Sequence, residues 1–194
     1  MISLINRTFI AMKSLIKILV ISLLVVFGGN SFSQEKINWM SWETAIEKNK
    51  TVKKKIIVDV YTWWCGWCKR MDATTFSNNV IIKEINKHYD AVKLDAEQQE
   101  PITYKGKTYI NEKPNSTPNV RKNPHQFAVV LLSGQMGYPK FVLLDENEQL
   151  LQMVTGYKQA PEMEMILKFF GDDIYKTVSG EEFKKTFQSE LKPN

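Results

Sequence analysis

Ile56-Ile57-Val58-Asp59-Val60-Tyr61-Thr62-Trp63-Trp64-Cys65-Gly66-Trp67-Cys68-Lys69-Arg70-Met71 is the stretch that decides the reading of this chain. Its first half is a mostly apolar, β-branched run, the composition of a strand covered on both faces, as in a parallel sheet. The two cysteines follow at once, and a helical pattern continues through Met71 to about Phe76. A strand running through C-x-x-C into a helix sets Cys65 at the helix N-terminus. Unpaired backbone N–H groups and the helix macrodipole favour negative charge there. That lowers a thiol's pKa and raises its thiolate fraction. Cys68, one turn later, lies behind it and is expected to be more covered. In this scheme Cys65 attacks a substrate disulfide, and Cys68 then attacks Cys65 to release the mixed disulfide. Gly66 leaves room for a partner's backbone.

These are the only two cysteines in 194 residues. A bridge closing so short a loop removes little entropy from the unfolded chain, so it is a poor staple, and chemistry is the better reason for it. Half a zinc site is the bland alternative. Zinc takes four ligands, and only His88 and His125 remain as typical partners, both remote in sequence. Zinc or copper carriage by the two thiolates is therefore kept only as an alternative, and no metal or other cofactor is assigned.

Outward from this stretch, Ser41 can cap a short helix carrying Trp42, Ala45 and Ile46. Lys53-Lys54-Lys55 leads into the strand. Ser77 or Asn78 can cap a helix with Val80, Ile81, Ile82 and Ile85, and Ala91 to Asp95 is the next strand. Tyr104 to Tyr109 suits a small hairpin about Gly106. Pro114, Pro118 and their Asn-rich surroundings read as irregular loop. Asn123 and Pro124 look like the N-cap and first residue of a helix running to about Leu132, with Gly134 as its stop, and His125 is a helix-start residue without a catalytic part. Lys140 to Asp145 is a strand, Glu146 to Glu148 a turn, and Gln149 to Thr155 an antiparallel return. Pro161 starts a helix with Met163, Ile166, Leu167 and Phe170 on its apolar side. Ser179 and Glu182 open a last helix, to about Leu191, with Phe183 and Phe187. Strands separated by helices imply parallel pairing, and the late turn an antiparallel edge. The expected fold is α/β, a mixed central sheet flanked by helices.

Tyr61-Thr62-Trp63-Trp64-Cys65-Gly66-Trp67-Cys68-Lys69, after Ile57-Val58-Asp59, closely resembles the active-site segment of the thioredoxin family. The resemblance extends to Gly137-Tyr138-Pro139, where that family places a cis-proline facing the disulfide, and to the strand Phe141-Val142-Leu143-Leu144-Asp145. It spans Lys53 to about Phe170 and is nearest to exported bacterial thioredoxin-like proteins with a C-G-W-C site. It implies a thioredoxin-like fold, catalysis by Cys65 and Cys68, and Asp59 as the buried acid behind them. Asp59 then accepts a proton from Cys68 through water; the alternative is an acid tied to Lys93 on the adjacent strand. Pro139 is expected in a cis peptide that exposes the Tyr138 backbone to substrate, rather than merely opening an edge strand. Trp63, Trp64 and Trp67 form an apolar rim for clients, with Trp64 the one most suited to the core; Trp64, Gly66, Trp67, Tyr138 and Pro139 are the candidate substrate contacts. Two departures stand out. Trp67 replaces the proline of thioredoxin itself, and the 44 positions from Asp95 to Pro139 exceed what a crossover needs. The excess is read as an insertion at about 97–123, and residues 172–194 as a C-terminal extension.

The first 33 residues differ in character. Arg7, Lys13 and Lys17 precede or flank an apolar run from Ile18 to Phe27, no acid appears before Glu35, and Ser31-Phe32-Ser33 places small residues before Gln34. This is the layout of a secretory signal over residues 1–33, followed by a domain over 34–194. The ten-residue run spans about 15 Å as a helix against a hydrocarbon core of roughly 30 Å, so membrane attachment applies only if the segment is uncleaved and recruits residues upstream. Export, to a periplasm, is expected. The formal charge of +5 becomes 23 basic against 21 acidic residues without the signal, too small a balance for nucleic acid or an anionic surface. Gly66 and Trp67 bring no charge to stabilise a thiolate, so the expected direction is reduction of disulfides in exported clients. A membrane thiol-electron transporter is implied, by the resemblance alone, as donor. A disulfide-donating oxidant and a client-binding module are the alternatives.

Overall fold

The computed structural model describes residues 35–112 and 123–191. The expected signal segment and the Pro114–Pro118 loop lie outside them. The elements in chain order are β1 (Trp39–Met40), α1 (Trp42–Asn49), β2 (Lys55–Tyr61), α2 (Gly66–Thr74), α3 (Asn79–His88), β3 (Tyr89–Asp95), β4 (Ile102–Tyr104), β5 (Lys107–Tyr109), α4 (Gln126–Leu131), β6 (Lys140–Leu144), β7 (Leu150–Thr155), α5 (Ala160–Gly171), a 3-10 turn (Ile174–Lys176) and α6 (Gly180–Thr186). Local chemistry explains most boundaries. Ser41 and Asn78 accept hydrogen bonds from Thr44 N and Val80 N, satisfying orphan amides at the starts of α1 and α3. Gln159 and Glu162 form a reciprocal capping box that starts α5 one residue before Pro161.

The central sheet has strand order β1-β3-β2-β6-β7. β2 runs parallel to β3, and β3 parallel to β1. β6 is antiparallel to β2, and β7 to β6. The sheet is mixed, as expected, but the rule of parallel pairing across a helix fails for β6. A connection as long as that from β3 to β6 can return the chain in either direction. β1 was not anticipated; two residues carry no readable alternation.

Because side chains alternate along a strand, β2 feeds two cores. Ile57, Phe141 and Leu143 pack under α2, α3 and α5 with Met71, Ile81, Ile85, Met163 and Leu167. Ile56, Val58 and Val60 face Trp42, Phe127, Leu132 and Val142 under α1 and α4. The small β4–β5 hairpin, turning at Lys105 and Gly106, joins this second core through Ile102 and Tyr109. Trp42 and Phe127 lie 4.6 Å apart between ring centroids, and Tyr104 and Tyr109 close on them, pinning the hairpin to the sheet.

Three helix ends differ from expectation. α2 stops at Thr74 rather than near Phe76, and α6 at Thr186 rather than Leu191. After α6 the chain turns back, and Ser189 Oγ and Glu190 N both reach the buried Glu164 carboxylate of α5. α4 begins at Gln126, not beside Asn123: the buried His125 is its cap, Nδ1 accepting from Phe127 N at 3.1 Å. Burial lowers the His125 pKa, which suits this acceptor role.

Glu84, His88 and Asp172 meet at the C-terminal end of α3. His88 Nε2 is 3.2 Å from Asp172 and 3.6 Å from Glu84, while Lys87 and Lys168 stand 3.7 Å and 4.0 Å from the same two carboxylates. The acids thus already have cations, and the cluster ties α3 to the end of α5. Gly171 makes room for it, since a Cβ there would fall 2.8 Å from His88 Cγ, at the rigid base of that side chain. Gly171→Ala is therefore expected to destabilise the fold by about 1–3 kcal/mol, read as a lower chemical-denaturation midpoint. An unchanged midpoint would show that His88 can move aside freely. Among the described residues no helix is long and apolar enough to cross a membrane.

Candidate active site

β2 ends at Tyr61, and Thr62 O accepts from Cys65 N at 3.1 Å, which turns the chain into α2. Cys65 occupies the N-cap in an extended conformation, and its Sγ accepts from Cys68 N at 3.1 Å. The two cysteines form a disulfide across the first helical turn, with Cα atoms 5.3 Å apart. Both are buried, Cys65 at 5% and Cys68 at 3% exposure, so the expected contrast in covering is absent in this state. Gly66 is exposed, and a Cβ there would meet nothing within 4 Å, so the backbone next to Cys65 is uncrowded.

The three tryptophans separate. Trp63 and Trp67 are exposed, at 49% and 57%. Trp67 leans on Tyr157 at 5.5 Å, and the Arg70 guanidinium caps both rings at 5.5 Å and 5.8 Å. Trp64 is half-buried rather than core. Its indole N–H donates to Glu97 Oε2 at 2.9 Å, and its ring meets Tyr138 edge-on at 6.0 Å. The Tyr138–Pro139 peptide is cis, and Pro139 is buried. Trp64, Tyr138, Gly137, Met136 and Pro124 line an apolar cleft of about 370 Å³. Burial, with Glu97 and Asp95 nearby, pushes the Tyr138 hydroxyl up to about 12, so it stays protonated.

Asp59 sits on the α2 side of β2, on the same face as Ile57, and is buried. Burial raises its carboxyl to about 6, with Lys93 pulling against the shift and Asp72 adding to it. Lys93, its register partner on β3, donates to Asp59 Oδ2 at 2.6 Å. The alternative of an acid tied to Lys93 is thus realised in the geometry. The proton-transfer reading needs a carboxyl held above its ordinary range, and burial holds Asp59 there.

Glu97, Asp72, Tyr157, Arg70 and Met136 were not singled out in the sequence. Only Asp72 carried a signal: it lies four residues after Cys68 and so shares its helix face. Asn111 Nδ2 bonds Glu97 O, Gln98 O and Asn123 O at 3.1–3.3 Å, joining the chain on either side of residues 113–122.

Comparison with known proteins agrees with this geometry. The model of the thioredoxin-like domain family matches residues 42–171. An uncharacterized protein of Caenorhabditis elegans, B0495.5, is 30% identical over 121 residues, covering 62% of this chain and 14% of that protein. The chain therefore spans only about one seventh of that relative's length. Among solved structures, a thioredoxin from Thermus thermophilus matches with a TM-score of 0.51 at 13% identity, over 79% of this chain and 98% of that one. A thioredoxin-fold protein from Helicobacter pylori matches with a TM-score of 0.49 at 15% identity, over 80% and 89%. The Thermus likeness speaks for the fold, and the family match together with the Cys65–Cys68 pair speaks for thiol–disulfide exchange as the class of chemistry. By its sequence over residues 42–171 and by its fold, the chain belongs to the thioredoxin-like domain family.

Proposed function

We propose that this protein is a thiol–disulfide oxidoreductase that reduces disulfides in exported client proteins. The observation that carries the reading is the Cys65–Cys68 disulfide at the start of α2, with the Cys65 sulfur at the N-cap and open space above Gly66. In the reduced enzyme the Cys65 thiolate attacks one sulfur of a client disulfide, and the client's other sulfur leaves as a thiolate. Cys68 then gives its proton, through water, to the Asp59 carboxylate. The Cys68 thiolate attacks Cys65 Sγ, the mixed disulfide breaks, and the second client sulfur departs. The client gains two electrons, and the enzyme is left with the Cys65–Cys68 disulfide, which a dithiol donor must reduce. The apolar cleft beside Tyr138 and the exposed Trp67 suit unfolded or extended client chain.

What surrounds the N-cap supports this direction. The first turn of α2 offers Gly66, Trp67 and Cys68, none of them cationic, while Lys69 and Arg70 lie further along, away from the positive helix end. Little beyond the helix end favours the thiolate, and a weakly stabilised reduced form makes a reductant. Export rests on the layout of residues 1–33. A redox titration of the purified protein against glutathione or dithiothreitol tests the direction. A potential near about −270 mV is expected, and one near about −120 mV would make the protein a disulfide donor instead.

A further inference from the structure

Lys93 does more than neutralise Asp59. Its ammonium donates to Asp59 Oδ2 at 2.6 Å and, on its other side, to Asp72 Oδ1 of α2. Three rings surround the same nitrogen: Trp39 at 4.9 Å, Tyr61 at 5.2 Å and Phe76 at 5.6 Å from their centroids. The aromatic faces fix the cation in place, so it stays put between two acids of different exposure. Asp59 is almost fully buried, whereas the Asp72 side chain is 44% exposed. One cation therefore serves two carboxylates.

We propose that Asp72 is a positioning residue for the release step, holding part of the Lys93 charge away from Asp59 so that the buried carboxyl stays able to take a proton. This rests on the reading of Asp59 as the proton acceptor for Cys68. Asp72 sits one turn beyond Cys68, about 6 Å along the helix and on the same helix face. A lysine committed wholly to Asp59 would hold that carboxylate ionised and make it a weak base. A carboxylate buried with no lysine would keep its proton and be unable to accept another. Sharing the cation leaves it between those limits. The groups around Asp59 bear this out. Lys93 faces it from β3, Asp72 lies on α2, and Tyr61 is the titratable neighbour on β2 itself. From β6 its register partner is Phe141, which brings no charge, and Lys140 on that strand is committed to Gln135 O.

The test compares the full chain with Asp72→Asn, Asp72→Glu and the Asp59→Asn/Asp72→Asn pair, all with the cysteines reduced. Carbon-13 carboxyl NMR follows the Asp59 titration, and the pH profile of kcat/KM for a disulfide substrate follows the release chemistry. In Asp72→Asn both are expected to move to lower pH by about one unit, roughly a tenfold fall in proton affinity. Asp72→Glu restores them, and in the Asp59→Asn background the second substitution changes nothing further. An Asp59 titration that does not move in folded Asp72→Asn overturns the role of Asp72. A titration that moves beneath a fixed rate profile keeps the sharing of Lys93 and overturns instead the part of Asp59 in the release step.

Discussion

Replacing Cys68 with serine is expected to leave a lasting covalent adduct between Cys65 and a disulfide client, and to lower turnover by a factor on the order of 10³ or more. The expectation comes from position rather than burial, since the two sulfurs are almost equally covered. Cys65 ends the extended segment before the helix, beside the exposed Gly66, whereas Cys68 lies inside the first turn with α2 behind it. In the proposed reaction a client therefore reaches Cys65 first. With a hydroxyl in place of the second thiol, the mixed disulfide has no internal nucleophile to displace it. The adduct should run as a higher band on a non-reducing gel and collapse on addition of dithiothreitol. Cys65→Ser, by contrast, should give no adduct at all. Retained turnover in Cys68→Ser, or an adduct formed through Cys68 in Cys65→Ser, would reverse the assignment of attacker and resolver.

The second large effect concerns stability and runs against activity. Asp59→Asn is expected to stabilise the folded protein at pH 7 by about 2–3 kcal/mol, which corresponds to a rise in Tm of roughly 5–10 °C. In the fold its carboxyl titrates near 6, above the ordinary carboxylate range of about 3.9. Between those two pH values the folded state binds the proton more tightly than the unfolded chain. The contribution of Asp59 to stability is thus fully present at low pH and is lost as pH rises through 6. At neutral pH the fold carries a buried carboxylate at a cost, and asparagine removes it. Lys93 keeps Asp72 as a partner, so the substitution strands no buried cation. Denaturant titrations of the two proteins should differ at pH 7 and converge below about pH 4. A loss of stability at pH 7 would mean that the Lys93–Asp59 attraction outweighs the burial cost. If Asp59 serves the release step, the stabilised variant should also turn over more slowly, a stability–activity trade-off at one residue.

Much of this site is legible in the amino-acid sequence, and the reason is locality. The strand, the cysteine pair and the helix are consecutive, and each is signalled by its own residues: β-branched Ile57 and Val58, the C-x-x-C spacing, and Met71 one helical turn beyond Cys68. The Asp59–Lys93 pair is also within reach, because parallel neighbours with similar hydrophobic runs suggest a register. The Glu97–Trp64 bond, the Trp67–Tyr157–Arg70 stack and the second partner of Lys93 are not legible. Each joins residues from separate elements, and their meeting depends on how helices sit on the sheet. The direction of β6 escapes for a related reason: hydrophobic pattern marks a strand but says nothing of its polarity. His125 is recognisable at a helix start but not as the cap, since its imidazole nitrogen fills a place usually taken by a Ser, Thr, Asp or Asn oxygen.

Three bonds from the Asn111 amide fasten Glu97, Gln98 and Asn123 to one side chain. Together with the bonds from Asn123 N to Glu97 Oε1 and from His125 N to Ala96 O, they hold both sides of residues 113–122 to the body of the fold. Lengthening such a segment costs little closure entropy, roughly 0.6 kcal/mol for each doubling. A change in the length of that stretch is therefore expected to leave the Trp64–Glu97 bond and the cleft beside Tyr138 in place.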